Sequence, residues 1–186
     1  MFKGRKIIAL CLTRLSNDET TAKVAELNKA LVAKDYRLFV YNACTDFYHN
    51  NRFENAEKKV YSLIDYNVVD AVVIFSEAFR DTSIVDELRM DAEAHNVPVF
   101  ILGNRSEKCT SFIFDYEAGF EQAVRHIIEY HGITDTAMIA GFKGEEHSEQ
   151  RIAVYKKVLA ENGLPFNDNM LSYGDYWSDP AQKAVE

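Results

Sequence analysis

Proline is scarce in this chain, 3 residues in 186, and glycine is modest at 8. That composition excludes collagen-like repeats and low-complexity linkers. Cysteine is rare as well: Cys11, Cys44 and Cys109 form an odd set with no C-x-x-C spacing. The favoured reading is reduced buried thiols, with Cys11 inside an apolar strand pattern. Positive charge is in deficit, with 21 Lys and Arg against 29 Asp and Glu and a formal charge of −8. Phosphate backbones need clustered Lys and Arg, so this stretch is not itself a nucleic-acid binder. No apolar run is long enough for a signal peptide or a membrane span; Ile7–Leu12 is far too short. These absences leave a soluble, cytoplasmic protein with no membrane partner.

What is present is a rhythm. Ile7–Leu12 is a continuous apolar run, the mark of a strand covered on both faces. After a polar turn, Val24, Leu27 and Leu31 recur at helical spacing between Glu19 and Lys34. Tyr36–Tyr41 reads as a second strand, followed by a polar loop to Asn51 that carries Asp46, Phe47, Tyr48 and His49. Phe53, Ala56, Val60, Leu63 and Ile64 predict an amphipathic helix, and Val69–Phe75 a third strand. Asp81 or Thr82 can cap a helix with Ile84, Val85, Leu88 and Ala92 inward, and Val97–Leu102 is a fourth strand. Strands alternating with helices require right-handed crossovers and a parallel sheet with helices on both faces. Ligands on such sheets bind at the carboxyl ends of the strands.

The pattern then restarts. Phe112–Phe114 reads as a short strand, Asp115 as a cap, and Phe120, Val124, Ile127, Ile128 and His131 as one face of a helix closed by Gly132. Thr136–Ala140 is a strand, Gly141–His147 a loop, and Ile152, Tyr155 and Leu159 face inward on a helix. Met170–Tyr173 is a short strand, and Ser178-Asp179-Pro180-Ala181 starts a helix. We read an N-terminal lobe over residues 1–114 and part of a C-terminal lobe over 115–186. With so few strands the second lobe is incomplete, so the stretch reads as the front piece of a longer polypeptide.

Catalytic signatures are missing from the motifs. There is no G-x-G-x-x-G after the first strand, no G-x-S-x-G elbow, and Gly141-Phe142-Lys143-Gly144 lacks the G-K-[ST] ending of a phosphate loop. His126 and His131, five apart on one helix, offer poor geometry for sharing a metal, and Glu145-Glu146-His147 reads better as a solvated loop. No catalytic residue, metal ligand or cofactor is assigned. Arg151, just after the glycine-bearing loop, can grip a carboxylate or a hydroxyl pair in bidentate fashion. It can equally pair with Glu146 or Glu149, and spacing alone does not separate the two. Trp177, the single tryptophan, with Tyr176 can stack on a sugar or purine ring, or simply fill the core. Asp115 can cap a helix, take ligand hydroxyls, or do both.

These residues carry a specific resemblance. Val69-Asp70-Ala71-Val72-Val73-Ile74 and Val97-Pro98-Val99-Phe100-Ile101-Leu102-Gly103-Asn104-Arg105 resemble paired strands of the LacI/GalR sensor domains. So do Phe114-Asp115-Tyr116-Glu117-Ala118-Gly119 with Arg125-His126-Ile127-Ile128, Ser148-Glu149-Gln150-Arg151, and Gly174-Asp175-Tyr176-Trp177. The resemblance runs in order along nearly the whole chain. It implies an α/β, periplasmic-binding-protein-like fold, two Rossmann-like lobes with parallel sheets around a small-molecule cleft. It also implies ligand-binding roles for Arg151, Asp115, the aromatic at Tyr176 or Trp177 and the Ser16-Asn17 turn, and a homodimer as the family's typical state. Ser76 and Asn104 are ligand-binding candidates by their places at the carboxyl ends of the strands. The chain departs from the family pattern at Asp18-Glu19-Thr20, where aromatics are usual, at Val154 and at His131-Gly132.

No helix-turn-helix headpiece precedes Ile7, and the Tyr130-His131-Gly132 and Gly174–Trp177 variants are similar to sensor regions placed before GGDEF diguanylate cyclase domains. The leading expectation is a sensor for a sugar- or nucleoside-like molecule that regulates a downstream cyclase module. The alternative is the effector-binding domain of a LacI-family transcription regulator without its DNA-binding part. A small α/β enzyme acting on sugars or phosphates ranks below both.

Overall fold

The computed structural model describes residues 4–47 and 51–185; Tyr48 and His49 lie outside them. The chain divides into two compact units, Met1–Phe114 and Asp115–Glu186.

The first unit follows the alternating pattern. In order it contains β1 (Ile7–Thr13), α1 (Asp18–Val32), β2 (Arg37–Ala43), α2 (Arg52–Glu57), β3 (Ala71–Phe75), α3 (Thr82–Ala94), β4 (Val99–Leu102) and β5 (Thr110–Phe112). The sheet order is β2-β1-β3-β4-β5, and every pairing is parallel. Because side chains alternate across a strand, β1 and β3 feed two cores. Ile7, Ala9, Cys11, Val72 and Ile74 join Ile84, Leu88 and Ala92 of α3 on one face. Ile8, Leu10, Leu12, Val73 and Phe75 meet Val24, Leu27 and Leu31 of α1 on the other. Continuous apolar strands are what a sheet buried on both sides demands.

Two expectations shift here for physical reasons. The amphipathic helix over 53–64 is instead α2 followed by a 3-10 helix, Lys58–Leu63. Val60 and Ile64 face the core as expected, but Phe53 and Leu63 are 79% and 71% exposed, and the tighter 3-10 turn brings Tyr61 inward instead. The Tyr61 hydroxyl donates to the Leu12 carbonyl at 2.8 Å, and its ring packs at a tilt against the stacked pair Phe47 and Phe79. The strand expected at Phe112–Phe114 is β5, two residues earlier, because β4 offers partners only to Thr110, Ser111 and Phe112. Ladder pairing at the sheet edge overrides the apolar run, and Ile113 and Phe114 stay exposed.

The second unit contains α4 (Tyr116–Arg125), β6 (Met138–Ala140), α5 (Glu146–Glu161), β7 (Leu171–Tyr173) and α6 (Ser178–Val185). β6 and β7 form a two-stranded parallel sheet. Its core is Val124, Ile128, Val154, Tyr155, Val158 and Leu159, with Phe120 and Phe166 packed against it. The Tyr155 hydroxyl reaches both the hydroxyl and the carbonyl oxygen of Thr136 at 2.9 Å. α4 runs on into a π-helical turn, His126–Tyr130. That wider turn breaks the expected face: Val124 and Ile128 are buried, but Ile127 and His131 are exposed. Arg125 ties the helices together, bonding Glu121 and Glu129 of its own helix and Glu161 of α5.

Candidate functional site

A cavity of about 480 Å³ opens in the second unit, at the carboxyl ends of β6 and β7. Phe120, Gly141, Arg151, Gly174, Tyr176 and Trp177 line it. The turn after β7 shapes one wall. Gly174 N–H donates to the Ala140 carbonyl at 2.8 Å, and Trp177 N–H turns back to the Gly174 carbonyl at 2.9 Å. Asp175 and Tyr176 follow with φ of 49° and 56°, the left-handed region. Two such residues in succession throw the Tyr176 ring across the end of β6. There it fits only because position 141 lacks a side chain: a Cβ on Gly141 would stand 2.0 Å from Tyr176 Cζ.

Charge is arranged around that ring. Glu145 is the N-cap of α5, accepting from the Ser148 amide at 2.8 Å and the His147 amide at 3.1 Å. Tyr176 Oη donates to the same carboxylate at 2.8 Å. Burial works against ionisation of Glu145, but the Tyr176 hydroxyl, the two amides and nearby His147 together hold its carboxyl below the usual carboxylate value.

Arg151 sits on α5, half-buried at the cavity wall. The ion pairs that its spacing allowed do not form. Glu149 accepts instead from Gly144 N–H at 2.8 Å and Tyr173 Oη at 3.3 Å, and Glu146 accepts from Gln150. Among the described residues no group accepts a hydrogen bond or ion pair from the Arg151 guanidinium. Trp177 is not a core filler; it is 52% exposed at the cavity rim. Asp115 is exposed, caps α4 by accepting from Ala118 N–H at 2.9 Å and is not among the lining residues.

The remaining residues singled out from sequence belong to the first unit. Asn17 caps α1 by accepting from the Glu19 and Thr20 amides, with Ser16 in the turn before it. Asn17 also lines a second cavity, about 460 Å³, with Lys23, Phe75, Glu77, Leu102 and Phe114. Ser76 is 1% exposed; its hydroxyl donates to the Leu102 carbonyl at 3.0 Å and accepts from Asn104 N–H at 2.8 Å. It braces the ends of β3 and β4. The end of β1 is also filled from within the chain, since Thr13 Oγ1 lies 3.0 Å from both Asp46 Oδ1 and the Ala78 carbonyl.

Solved structures with this architecture are numerous. The CelR–cellobiose complex of a transcriptional regulator superposes with a TM-score of 0.71 at 21% identity, over 97% of this chain and 54% of that one. The lac repressor dimer bound to operator and the anti-inducer ONPF gives 0.70 at 18% identity, over 97% and 59%. The fold is that of the LacI-family effector domains.

Sequence relatives point the same way. Catabolite control protein A of Priestia megaterium is 26% identical over 142 residues, 74% of this chain and 41% of that protein. The helix-turn-helix-type transcriptional regulator AscG of Escherichia coli is 26% identical over 135 residues, 72% of this chain and 38% of that protein. The chain thus spans less than half the length of these two relatives, and no family model matches it. AscG and CelR are transcriptional regulators by name, and the lac repressor is seen bound to its operator. Among the described residues of this LacI-type fold, no helix is long and apolar enough to cross a membrane.

Sequence reasoning passed over Phe120, Gly141 and Gly174 as parts of the cavity and Glu145 as the partner of Tyr176. Gly141 and Gly174 carried the available signal, each directly following a short strand. Among the described residues no group of three or more His, Cys, Asp or Glu is placed to hold a metal ion.

Proposed function

We propose that this chain is the effector-binding part of a LacI-type transcription regulator, and that its second-unit cavity takes a polar, ring-shaped small molecule. The observation that carries this reading is Arg151: a half-buried guanidinium at a cavity wall, with no partner among the described residues. A buried or half-buried charge without a partner is costly, so its fork of donors is held ready for an external acceptor. In our reading Arg151 takes vicinal hydroxyls or an anionic group, Trp177 covers one ring face, and Tyr176 is held in place by Glu145. Sugars are the favoured class, since one similar structure is of a sugar-binding transcriptional regulator and another is a regulator in complex with cellobiose. Within the first unit taken by itself, Ser16, Asn17, Ser76 and Asn104 remain proposed ligand contacts through their places at the strand ends and the turn; in the second unit Asp115 remains one through its place at the cap of α4.

The likeness to transcription regulators favours that output over a diguanylate cyclase, and it favours a binding role over an enzymatic one. A homodimer and a cytoplasmic location follow as proposals from the same likeness. Binding would regulate only through the effector's differential affinity for two conformations.

Trp177, as the sole tryptophan, gives a direct readout. Titration of mono- and disaccharides and nucleosides should change its fluorescence saturably for one class. Arg151→Ala should weaken that binding by roughly 10- to 100-fold, the loss expected for hydrogen bonds to a charged group. Unchanged affinity in the variant would overturn the role of Arg151, and no saturable response to any class would overturn the reading of the cavity.

A further inference from the structure

The π-helical turn at the end of α4 does something an α-helix cannot. In an α-helix, residues five apart point about 140° away from one another. Here His131 N–H donates to the His126 carbonyl at 3.1 Å, the i→i+5 bond of a π turn, and this sets the two side chains in line. Their Nε2 atoms stand 3.1 Å apart, one ring carrying the hydrogen and the other accepting it. The poor geometry expected of a five-residue spacing is therefore corrected by the backbone.

The rings are also held. Tyr130 stacks on His126 with centroids 4.8 Å apart and planes 12° from parallel, and meets His131 edge-on at 5.0 Å. The two imidazoles are nearly perpendicular, at 85°. Both are solvent-exposed, so a hydrogen bond between them gains little over bonds to water.

We infer that His126 and His131 form a chelating site for a divalent late transition-metal ion of the Cu2+, Ni2+ or Zn2+ class. Imidazole nitrogens sit about 2.0–2.1 Å from such ions, so two of them at ordinary coordination angles are separated by about 2.9–3.4 Å. The observed separation falls inside that bite. Binding needs the donor ring to move its hydrogen from Nε2 to Nδ1 and the two exposed rings to turn from facing each other until both Nε2 lone pairs meet at one ion. Neutral imidazole suits these ions, and affinity should follow Cu2+ above Ni2+. Glu129 Oε1 accepts from Arg125 at 2.7 Å and Asn162 at 3.1 Å, and among the described residues no third His, Cys, Asp or Glu is placed to complete a metal group. Water, or a group from outside the chain, completes the coordination.

The test uses the tag-free, metal-stripped chain in calorimetric titrations with Cu2+ and Ni2+. One equivalent should bind saturably, more tightly for Cu2+. His126→Gln and His131→Gln should each lower the affinity at least tenfold, while His95→Gln leaves it unchanged. Because both positions are exposed, a far-ultraviolet spectrum matching the parent is expected for each variant. Absence of saturable binding at millimolar metal, or a loss confined to one of the two variants, would overturn the chelate.

Discussion

Tyr176 and Glu145, 31 residues apart, are joined by a 2.8 Å hydrogen bond that fixes the ring at the mouth of a cavity. Tyr176→Phe keeps the ring over Gly141 and deletes only the donor. Since the bond is exposed, the loss in stability should be at most about 1 kcal/mol. The Glu145 carboxyl is depressed in the folded chain, so its contribution is present above the ordinary value, about 4.3, and is lost as pH falls through the folded value. Removing the Tyr176 donor should raise that folded value. Carboxyl titration by NMR should show the rise, and urea melts of parent and variant should converge on acidification.

Gly141→Ala tests the seat of the same ring. The new Cβ would meet Tyr176 Cζ at 2.0 Å, which only displacement of the ring relieves. We expect a stable fold with altered Trp177 emission and weakened effector binding. Gly174→Ala differs, because its Cβ would face Ile139 at 2.7 Å and the Ala181 backbone at 3.2 Å. There the strain falls on the junction of β6, β7 and α6, and a loss of about 1–3 kcal/mol is expected in denaturant melts.

Leu159 is fully buried in the second-unit core. Leu159→Ala should cost about 2–5 kcal/mol, measured by urea unfolding. A cost under about 1 kcal/mol would mean that this core is loosely packed.

The alkaline limb of stability should trace to β1 and its neighbours. Burial pushes the Cys11 thiol up, and burial with nearby Cys11 pushes the Tyr61 hydroxyl up. A group with a raised folded value contributes stability that is full below its unfolded value and lost as pH rises toward the folded one. Loss should therefore begin near pH 8.5 for Cys11 and near pH 10 for Tyr61. Cys11→Ala should flatten the first part of that decline in thermal melts between pH 8 and 10.

The first unit was readable because its strands are covered on both faces, which leaves unbroken runs such as Ile7–Leu12 and Val69–Phe75 in the sequence. Helical period also identified Ile84, Leu88 and Ala92, all of them buried. What stayed hidden depended on winding and partners. Nothing in the spacing of Phe53 to Ile64 announces a 3-10 turn, and nothing in Tyr130-His131 announces a π turn. Thr110 and Ser111 form a strand only because β4 lies beside them. At the cavity, Arg151 could be named but not freed from Glu146 and Glu149 until their other bonds were visible.

The left-handed pair Asp175–Tyr176 has a consequence for motion. Each non-glycine residue in that region carries an energetic penalty of order 1 kcal/mol, which persists only while neighbouring bonds enforce it. Amide protons around this corner should therefore exchange with deuterium orders of magnitude sooner than those of β1 or β3, and an occupant of the cavity should slow them selectively.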